Sequence, residues 1–268
     1  MYAFIHIPKT GGSTLRHVLR CSFGASHCDI KVPSARRKQQ DWILPRDVRI
    51  ARLCYPRLAG ICGHRVTCAT ALETAGDPVQ YFTFVRDPVQ RFLSNYYHDL
   101  RDRGAEPSIA SLRDFAALPG RRNVMSRMLC GEEDGALAIQ QLEQHDVFVG
   151  LTARFEESFC MLHQWLGDAR LLPCYVVRNE SPAGLPSARC GSVEQIEIAR
   201  VANAEDMRVY DAVLERVFPR QMERYAGCLS EDVEALRARN KTATLPRESL
   251  WAKAKRSYLY KPMLHLLG

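Results

Sequence analysis

The sequence lacks the segments that would carry a protein across a membrane. It contains no run of about 18 consecutive apolar residues, the length that a spanning helix needs. Met1 is followed directly by a short apolar run, without the basic stretch and small-residue cleavage site of a secretory signal. We therefore expect a soluble, unexported protein of the cytoplasm.

The cysteines lack the spacing of a disulfide framework or of a metal site. Ten are present, but they are scattered along the chain and no two form a Cys-x-x-Cys pair. The eight histidines show no ligand spacing with them either. We expect reduced, mostly buried thiols and no bound metal.

Acidic residues are scarce in the last part of the chain. From Ala235 to the end, eight lysines and arginines stand against one acid, Glu248, so this tail accounts for the whole net charge of +7. Such a balance suits an anionic ligand, a polyanionic substrate or an anionic membrane surface, and a solvated basic tail is an equal interpretation. We predict one catalytic-size domain over residues 1–228 and a basic helical extension over residues 229–268.

Short apolar runs alternate with segments of helical periodicity, and no internal repeat interrupts them. The predicted strands are residues 2–7, 81–85, 146–151 and 172–177. The predicted helices are residues 13–19, 89–100, 154–166 and most of 193–225. The polar, basic segment 21–56 shows little periodicity and is predicted to be an insertion over the sheet edge. The alternation indicates an α/β fold with a mainly parallel sheet and helices on both faces.

The strongest motif lies where the first strand meets the first helix. It reads His6-Ile7-Pro8-Lys9-Thr10-Gly11-Gly12-Ser13-Thr14. The paired glycines allow the backbone to close around an anion, the two hydroxyls add donors, and the helix N-terminus attracts phosphate. The Walker A order is absent because the lysine precedes the glycines, which disfavours a nucleoside triphosphatase.

A second motif follows the predicted strand 81–85. Arg86 stands at the end of the strand, Pro88 begins a helix, and Ser94 lies two turns inside that helix, facing back toward the strand. The guanidinium group matches a phosphate, and the serine hydroxyl supplies one more donor. Alone, an Arg-Asp-Pro turn would indicate a helix cap, but paired with the first loop it indicates phosphate binding.

These two motifs resemble those of the sulfotransferase superfamily, and the chain looks closest to the heparan sulfate 2-O and 6-O group and its bacterial relatives. The resemblance implies a P-loop-like fold over residues 1–228 and the sulfuryl donor 3′-phosphoadenosine-5′-phosphosulfate (PAPS). It implies that Lys9 contacts the 5′-phosphate and the bridging oxygen. It also implies that Arg86 and Ser94 bind the 3′-phosphate. The further donors to the 5′-phosphate would be Thr10, Gly11, Gly12, Ser13 and Thr14.

Weaker matches extend the resemblance over most of residues 3–225. Arg178 begins a segment, 178–181, that resembles a family loop closing on the donor. The other matching segments are Asn123 with 127–129, and 148–158 with Ala153 where an acid is usual. Asn203, Asp206 and Tyr210 match the helix that follows, and for them core packing and helix capping is the preferred interpretation.

His64 is the candidate general base. Transfer of a sulfuryl group to an alcohol needs a group that takes the hydroxyl proton, and histidine serves this role near neutral pH. His64 follows an apolar stretch and a glycine that would expose it at the end of a strand. It resembles the histidine of a Gly-His segment that is the general base in the heparan sulfate group. His6 is expected to be buried, and His17 and His98 are the next positions to test.

The resemblance leads to one function and leaves two alternatives. The expected activity is transfer of a sulfuryl group from PAPS to a hydroxyl of a carbohydrate or glycolipid, without a nucleic acid partner and with peripheral contact to an anionic membrane through the basic tail. Arg65 and the basic run 36–38 would hold acidic groups of a sugar chain or simply be solvated. The alternatives are a nucleotide-dependent kinase, which needs ATP and magnesium, and a catalytically silent protein that binds a nucleotide or an anionic glycan.

Overall fold

One parallel sheet forms the centre of the molecule. The computed structural model describes residues 1–33, 36–178, 191–246 and 248–266. Within these residues the sheet has five strands in the order β2-β3-β1-β4-β5, and every pairing between neighbours is parallel. The strands are β1 (Tyr2–Ile5), β2 (His27–Asp29), β3 (Gly60–Gly63), β4 (Gln80–Val85) and β5 (Phe148–Leu151).

The central strand β1 is apolar on both faces, as expected for a parallel sheet that helices surround. Each side chain of β1 is at most 3% exposed. Phe4 lies in register with Cys62 of β3 and Phe82 of β4, and the two phenylalanine rings stack with their centroids 4.8 Å apart. The central strand therefore carries the core, and its carboxyl end is held between two neighbouring strands.

Thirteen α-helices follow in the described residues. They are α1 (Gly12–Phe23), α2 (Pro45–Cys54), α3 (Pro88–Arg103), α4 (Ile109–Ala117), α5 (Val124–Cys130), α6 (Gly135–Gln144), α7 (Phe155–Leu166), α8 (Val193–Ala202), α9 (Ala204–Ala212), α10 (Phe218–Glu223), α11 (Leu229–Thr242), α12 (Leu250–Ala254) and α13 (Lys261–Leu266). The turns Val213–Val217 and Lys255–Tyr260 are π-helical. The predicted parallel α/β fold is confirmed, as are the helices predicted to begin near residues 13, 89, 154 and 193.

The prediction for segment 21–56 was wrong in part. The segment contains the edge strand β2 and the helix α2. The strand has only three residues and no β pattern, and it is fixed by contacts from elsewhere: the Tyr2 hydroxyl lies 2.7 Å from His27 Nδ1, and Arg16 donates to Asp29. The helix begins at Pro45, a favoured first position.

The strand predicted at 172–177 is absent, because its main-chain donors bond to side chains instead of to a neighbouring strand. The N–H of Leu172 donates to Ser22 Oγ and that of Tyr175 to Asn240 Oδ1, both at 3.0 Å. The next donor, Arg178 N–H, bonds to Thr14 Oγ1 at 3.0 Å. This extended segment therefore lies across the helices and leads toward the first loop.

The predicted C-terminal extension is helical and packs on the rest of the chain. Leu236, Tyr260 and Leu264 belong to the same buried cluster as the sheet. The Tyr260 hydroxyl accepts a hydrogen bond from Lys31 N–H at 3.2 Å. The boundary at residue 228 stays a prediction.

The nine described cysteines are all free thiols, and five of them are buried. The tenth, Cys190, lies outside the described residues. Among the helices that the structure describes, none is long and apolar enough to cross a bilayer.

Candidate functional site

A cleft of about 1240 Å³ opens at the carboxyl ends of the strands. Because β1, β3, β4 and β5 run parallel, the loops that follow them meet at this edge of the sheet, where α/β proteins commonly bind ligands. All but one of the predicted site residues line it: Lys9, Gly11, Gly12, Ser13, Thr14, His64, Arg86, Ser94 and Arg178. The fold thus brings together residues that are up to 169 positions apart in the sequence, from Lys9 to Arg178.

The loop after β1 is built for close backbone approach. Lys9 and Gly11 have φ angles of 69° and 80°, in the left-handed region. A Cβ atom on Gly12 would lie 2.1 Å from the ring of His6, so only glycine fits there. The N-terminus of α1, with its positive dipole end, faces the cleft at this point. The loop therefore has the geometry of an anion cradle.

Thr10 is the exception, because its side chain is fully buried. Its hydroxyl donates to the carbonyl oxygen of Ile7 at 2.9 Å. The hydroxyl of Thr152 lies 2.9 Å from the carbonyl oxygens of both Thr10 and Val85. The Thr10 hydroxyl therefore stabilises the loop, and a contribution of this residue to anion binding is restricted to its main chain.

Cationic side chains are concentrated around Lys9. Burial, Arg101 and Arg86 lower the pKa of Lys9, while Asp102 partly opposes the shift. Arg86 Nη1 donates to the Lys9 carbonyl oxygen at 3.4 Å, which links the ends of β1 and β4. Arg101, which sequence reasoning missed, lies two turns beyond Ser94 on α3 and also lines the cleft. The cleft therefore favours a ligand with several negative charges.

The start of α3 positions Arg86 and Ser94. Asp87 caps this helix by accepting a hydrogen bond from Gln90 N–H at 2.8 Å, and Pro88 is its first residue. The capped helix holds Ser94 in the same wall as Arg86. The two residues that the second motif singled out thus face one cavity.

Arg91, three residues before Ser94, belongs to the core instead. It is fully buried and donates to Asn203 Oδ1 at 2.9 Å, while its Nε lies 3.9 Å from Asp206. Asp206 in turn accepts hydrogen bonds from the N–H groups of Met125 and Ser126. The core-packing interpretation of Asn203 and Asp206 is confirmed, but the Asn203 side chain makes no capping hydrogen bond to α9. Tyr210, on α9, lines the cleft.

His64 follows β3 and is held in one tautomer. Its Nδ1 lies 2.7 Å from the carbonyl oxygen of His6, which can only accept, so Nδ1 carries the proton and Nε2 is left as an acceptor. Burial lowers the pKa of His64, the bond to His6 partly opposes this, and Arg16 lowers it further. The side chain is therefore neutral at pH 7 and suited to accept a proton.

Of the other histidines, His6 is buried, as expected, yet it borders the cleft. Burial, with smaller contributions from His64 and Arg16, lowers its pKa to about 3. His98 also lines the cleft, and its Nδ1 lies 3.1 Å from Oδ2 of Asp102. His17 does not line it. The sequence predicted a strand over residues 2–7, but β1 ends at Ile5. His6 therefore follows the strand and can face the cleft, and no sequence signal marked this earlier end.

Arg36 and Arg65, two basic residues considered for binding a sugar chain, do not line the cleft, whereas Arg16 does. Arg36 pairs with Asp47 at 2.8 Å, and Arg65 donates to the carbonyl oxygen of Gln40 at 3.0 Å. Arg16, on the second turn of α1, lines the cleft, and its Nε donates to Asp29 at 2.7 Å.

Arg178, which was predicted to contact the donor, joins the first loop through its N–H bond to Thr14. Its Nη2 atom lies 3.0 Å from Nε2 of His17. The remaining residues of the predicted loop, 179–181, lie outside the described residues.

Comparison with known families agrees with this geometry. A model of the sulfotransferase family matches residues 2–110, the part of the chain that contains the first loop, His64, Arg86 and Ser94. No curated protein matches the chain. The predicted resemblance to the sulfotransferase superfamily is confirmed for residues 2–110, and the parallel α/β fold is consistent with a sulfotransferase fold.

Proposed function

We propose that the protein transfers the sulfuryl group of PAPS to a hydroxyl of a carbohydrate or glycolipid, with His64 as general base. The observation that carries this proposal is that three elements line one cleft. They are the loop from Lys9 to Thr14, the pair Arg86 and Ser94, and the neutral imidazole of His64, whose Nδ1 proton is fixed by the bond to His6. Each element serves one part of the reaction, namely donor binding, donor selectivity and proton acceptance.

The donor side fits a nucleotide with two phosphate-bearing positions. Gly11 and Gly12 let the backbone approach an anion without a Cβ atom in between. Lys9 and the start of α1 supply positive charge to the 5′-phosphosulfate. Arg86 and Ser94 are assigned to the 3′-phosphate, where a guanidinium fork and a hydroxyl complement its oxygens.

The chemical step is a displacement at sulfur. A bond forms between the acceptor oxygen and sulfur while the bond from sulfur to the bridging oxygen of the 5′-phosphate breaks. Nε2 of His64 takes the proton of the attacking hydroxyl. Lys9 stabilises the charge that develops on the departing phosphate, an interaction felt most strongly in the transition state.

The open, cation-rich cleft supports a polar acceptor. Arg16 lines the same cleft as His64 and shares its carboxylate partner, Asp29, with Arg20. These groups suit a hydroxyl-bearing molecule with acidic substituents, such as an anionic sugar.

A transfer assay tests the proposal. Purified protein is incubated with PAPS carrying labelled sulfate and with a panel of glycans, glycolipids and simple phenols, and the label in each product is counted. Transfer to a sugar hydroxyl is expected. Transfer to phenols alone would overturn the acceptor assignment. Phosphate transfer from ATP with magnesium would favour a kinase, and tight binding of the nucleotide without turnover would favour a silent binding protein.

A further inference from the structure

The last helical segment of the described chain exposes several large apolar side chains. It runs without a break over residues 250–266, as α12, the π-helical turn Lys255–Tyr260 and α13. The exposed residues are Leu250 (82%), Trp251 (66%), Tyr258 (83%), Leu259 (45%) and Leu266 (78%). Single exposed apolar residues are normal on a protein surface, but a concentration in one short segment marks an interaction surface.

The exposed side chains lie on a different face of the helix from the one that packs against the domain. That face consists of Ala252, Tyr260 and Leu264, which are buried. The ring of Tyr260 packs edge-on against Tyr55, with the centroids 5.7 Å apart, and its hydroxyl accepts from Lys31 N–H. The segment is therefore anchored on one side and apolar on another.

The exposed apolar residues lie among positive charges. Lys253 and Lys261 are exposed, and residues 249–268 contain no aspartate or glutamate. Lys255 and Arg256, from the same segment, are more sheltered: Lys255 Nζ donates to the Ala25 carbonyl oxygen at 3.3 Å, and Arg256 pairs with Glu248. Leucine, tryptophan and tyrosine interspersed with lysine are typical of helices that lie in a membrane interface.

We infer that segment 250–266 binds the surface of an anionic lipid bilayer, with the helix in the plane of the membrane. The aromatic and leucine side chains enter the boundary between headgroups and acyl chains, and the lysines contact the anionic headgroups. A second copy of this chain is a poorer partner, because it would bring two positively charged faces together.

The surface lies close to the cleft. Arg256 Nη1 is 3.6 Å from Asp29 Oδ2, and Asp29 accepts from Arg16, which lines the cleft. Two consecutive ion pairs thus connect the membrane-binding segment to a residue of the cleft.

Vesicle binding tests the inference and does not depend on enzymatic activity. The full-length protein is sedimented with vesicles of phosphatidylcholine containing about 30% phosphatidylserine, and with pure phosphatidylcholine. Binding is expected to the first and to fall with added salt. The variant Lys253→Gln/Lys261→Gln should bind at least about tenfold more weakly, since each lysine near an anionic surface contributes about fivefold. The variant Leu250→Ser/Trp251→Ser should also lose binding.

A matched control is the variant Val193→Ser/Val201→Ser, which removes two exposed apolar side chains from α8. It should bind like the wild type. In addition, brominated phosphatidylserine should quench the fluorescence of the wild type more than that of Trp251→Phe, a change that keeps an apolar ring. Equal binding of all variants, or no binding by the wild type, would overturn the inference. Self-association that only Leu250→Ser/Trp251→Ser abolishes would assign the surface to a second copy instead.

Discussion

The imidazole rings of His6 and His64 lie side by side, with their centroids 4.2 Å apart and their planes inclined by 31°. The carbonyl oxygen of His6 accepts a hydrogen bond from His64 Nδ1–H. One histidine therefore sets the tautomer of the other through its main chain. The ring of His6 packs against Gly12, so the same residue also fixes the anion cradle.

The first prediction concerns His64→Ala. We expect kcat to fall roughly 100-fold or more, because a positioned proton acceptor is lost, with little change in the affinity for the donor product. Only neutral imidazole accepts the proton, and burial lowers the pKa of His64, so the acid limb of the kcat profile should lie below 6.5 in the wild type. This limb should vanish in the variant. Steady-state kinetics across the pH range measures both effects.

His98→Ala is the matched control, since this histidine lines the same cleft but pairs with Asp102 on its own helix. It should keep the acid limb. If His64→Ala retained kcat and its acid limb, the base would lie elsewhere. If His6 were the base, the acid limb would lie near pH 3, because burial lowers the pKa of His6 to about 3.

Lys9→Met should lower kcat by about 100-fold, because loss of one group that stabilises transition-state charge costs on the order of 3 kcal/mol. The methionine keeps most of the aliphatic stem and so preserves packing. Lys9→Arg, which keeps the charge at a different geometry, should recover part of the activity. Single-turnover kinetics is the measurement. A Lys9→Met variant within threefold of the wild type would refute the role of this lysine.

Arg86→Ala should weaken the binding of adenosine 3′,5′-bisphosphate, the product formed from PAPS, by about 1.5 to 3 kcal/mol. This is the contribution of a hydrogen bond to a charged group. Adenosine 5′-phosphosulfate lacks the 3′-phosphate, so its affinity should hardly change. Because Arg86 also contacts the Lys9 carbonyl oxygen, Ser94→Ala serves as a second variant that leaves the first loop untouched. It should show the same selectivity with a smaller loss by calorimetry. Equal losses for both nucleotides would contradict the assignment.

Sequence patterns predicted the parts of the fold that are encoded locally. β1 is a continuous apolar run, β4 is mainly aromatic and β-branched, and α3 has its own cap in Asp87 and Pro88. The edge strand β2 has no such code, since three polar or small residues are held there by partners distant in the sequence. Conversely, 172–177 has the composition of a strand, but its donors are taken by side chains such as Ser22 and Asn240.

The candidate site was predictable where one short motif contains several of its members. The loop from Lys9 to Thr14 and the pair Arg86 and Ser94 are of this kind. Arg16 and Arg101 lie on helices in positions where an arginine is ordinarily solvated, and only the arrangement of α1 and α3 around the cleft distinguishes them. Their inclusion in the site needs the tertiary structure.

The last prediction concerns Asp29, the buried carboxylate of β2. Burial alone would raise the pKa of Asp29, but the neighbouring His27, whose Nε2 lies 3.5 Å from Oδ1, and the hydrogen bond from Arg16 outweigh it and hold the pKa well below 3.8. An acid with a depressed pKa stabilises the fold above its unfolded pKa, and this contribution is lost as the pH falls. Asp29→Asn should therefore lower the free energy of unfolding at pH 7 by about 2 to 3 kcal/mol. The difference from the wild type should shrink below pH 3.8, as measured by urea unfolding. Asp77→Asn, at an exposed ion pair with Arg52, is the control and should cost less than about 1 kcal/mol. If Asp29→Asn lowered the free energy of unfolding by the same amount at pH 7 and below pH 3.8, packing and not charge would make this residue important.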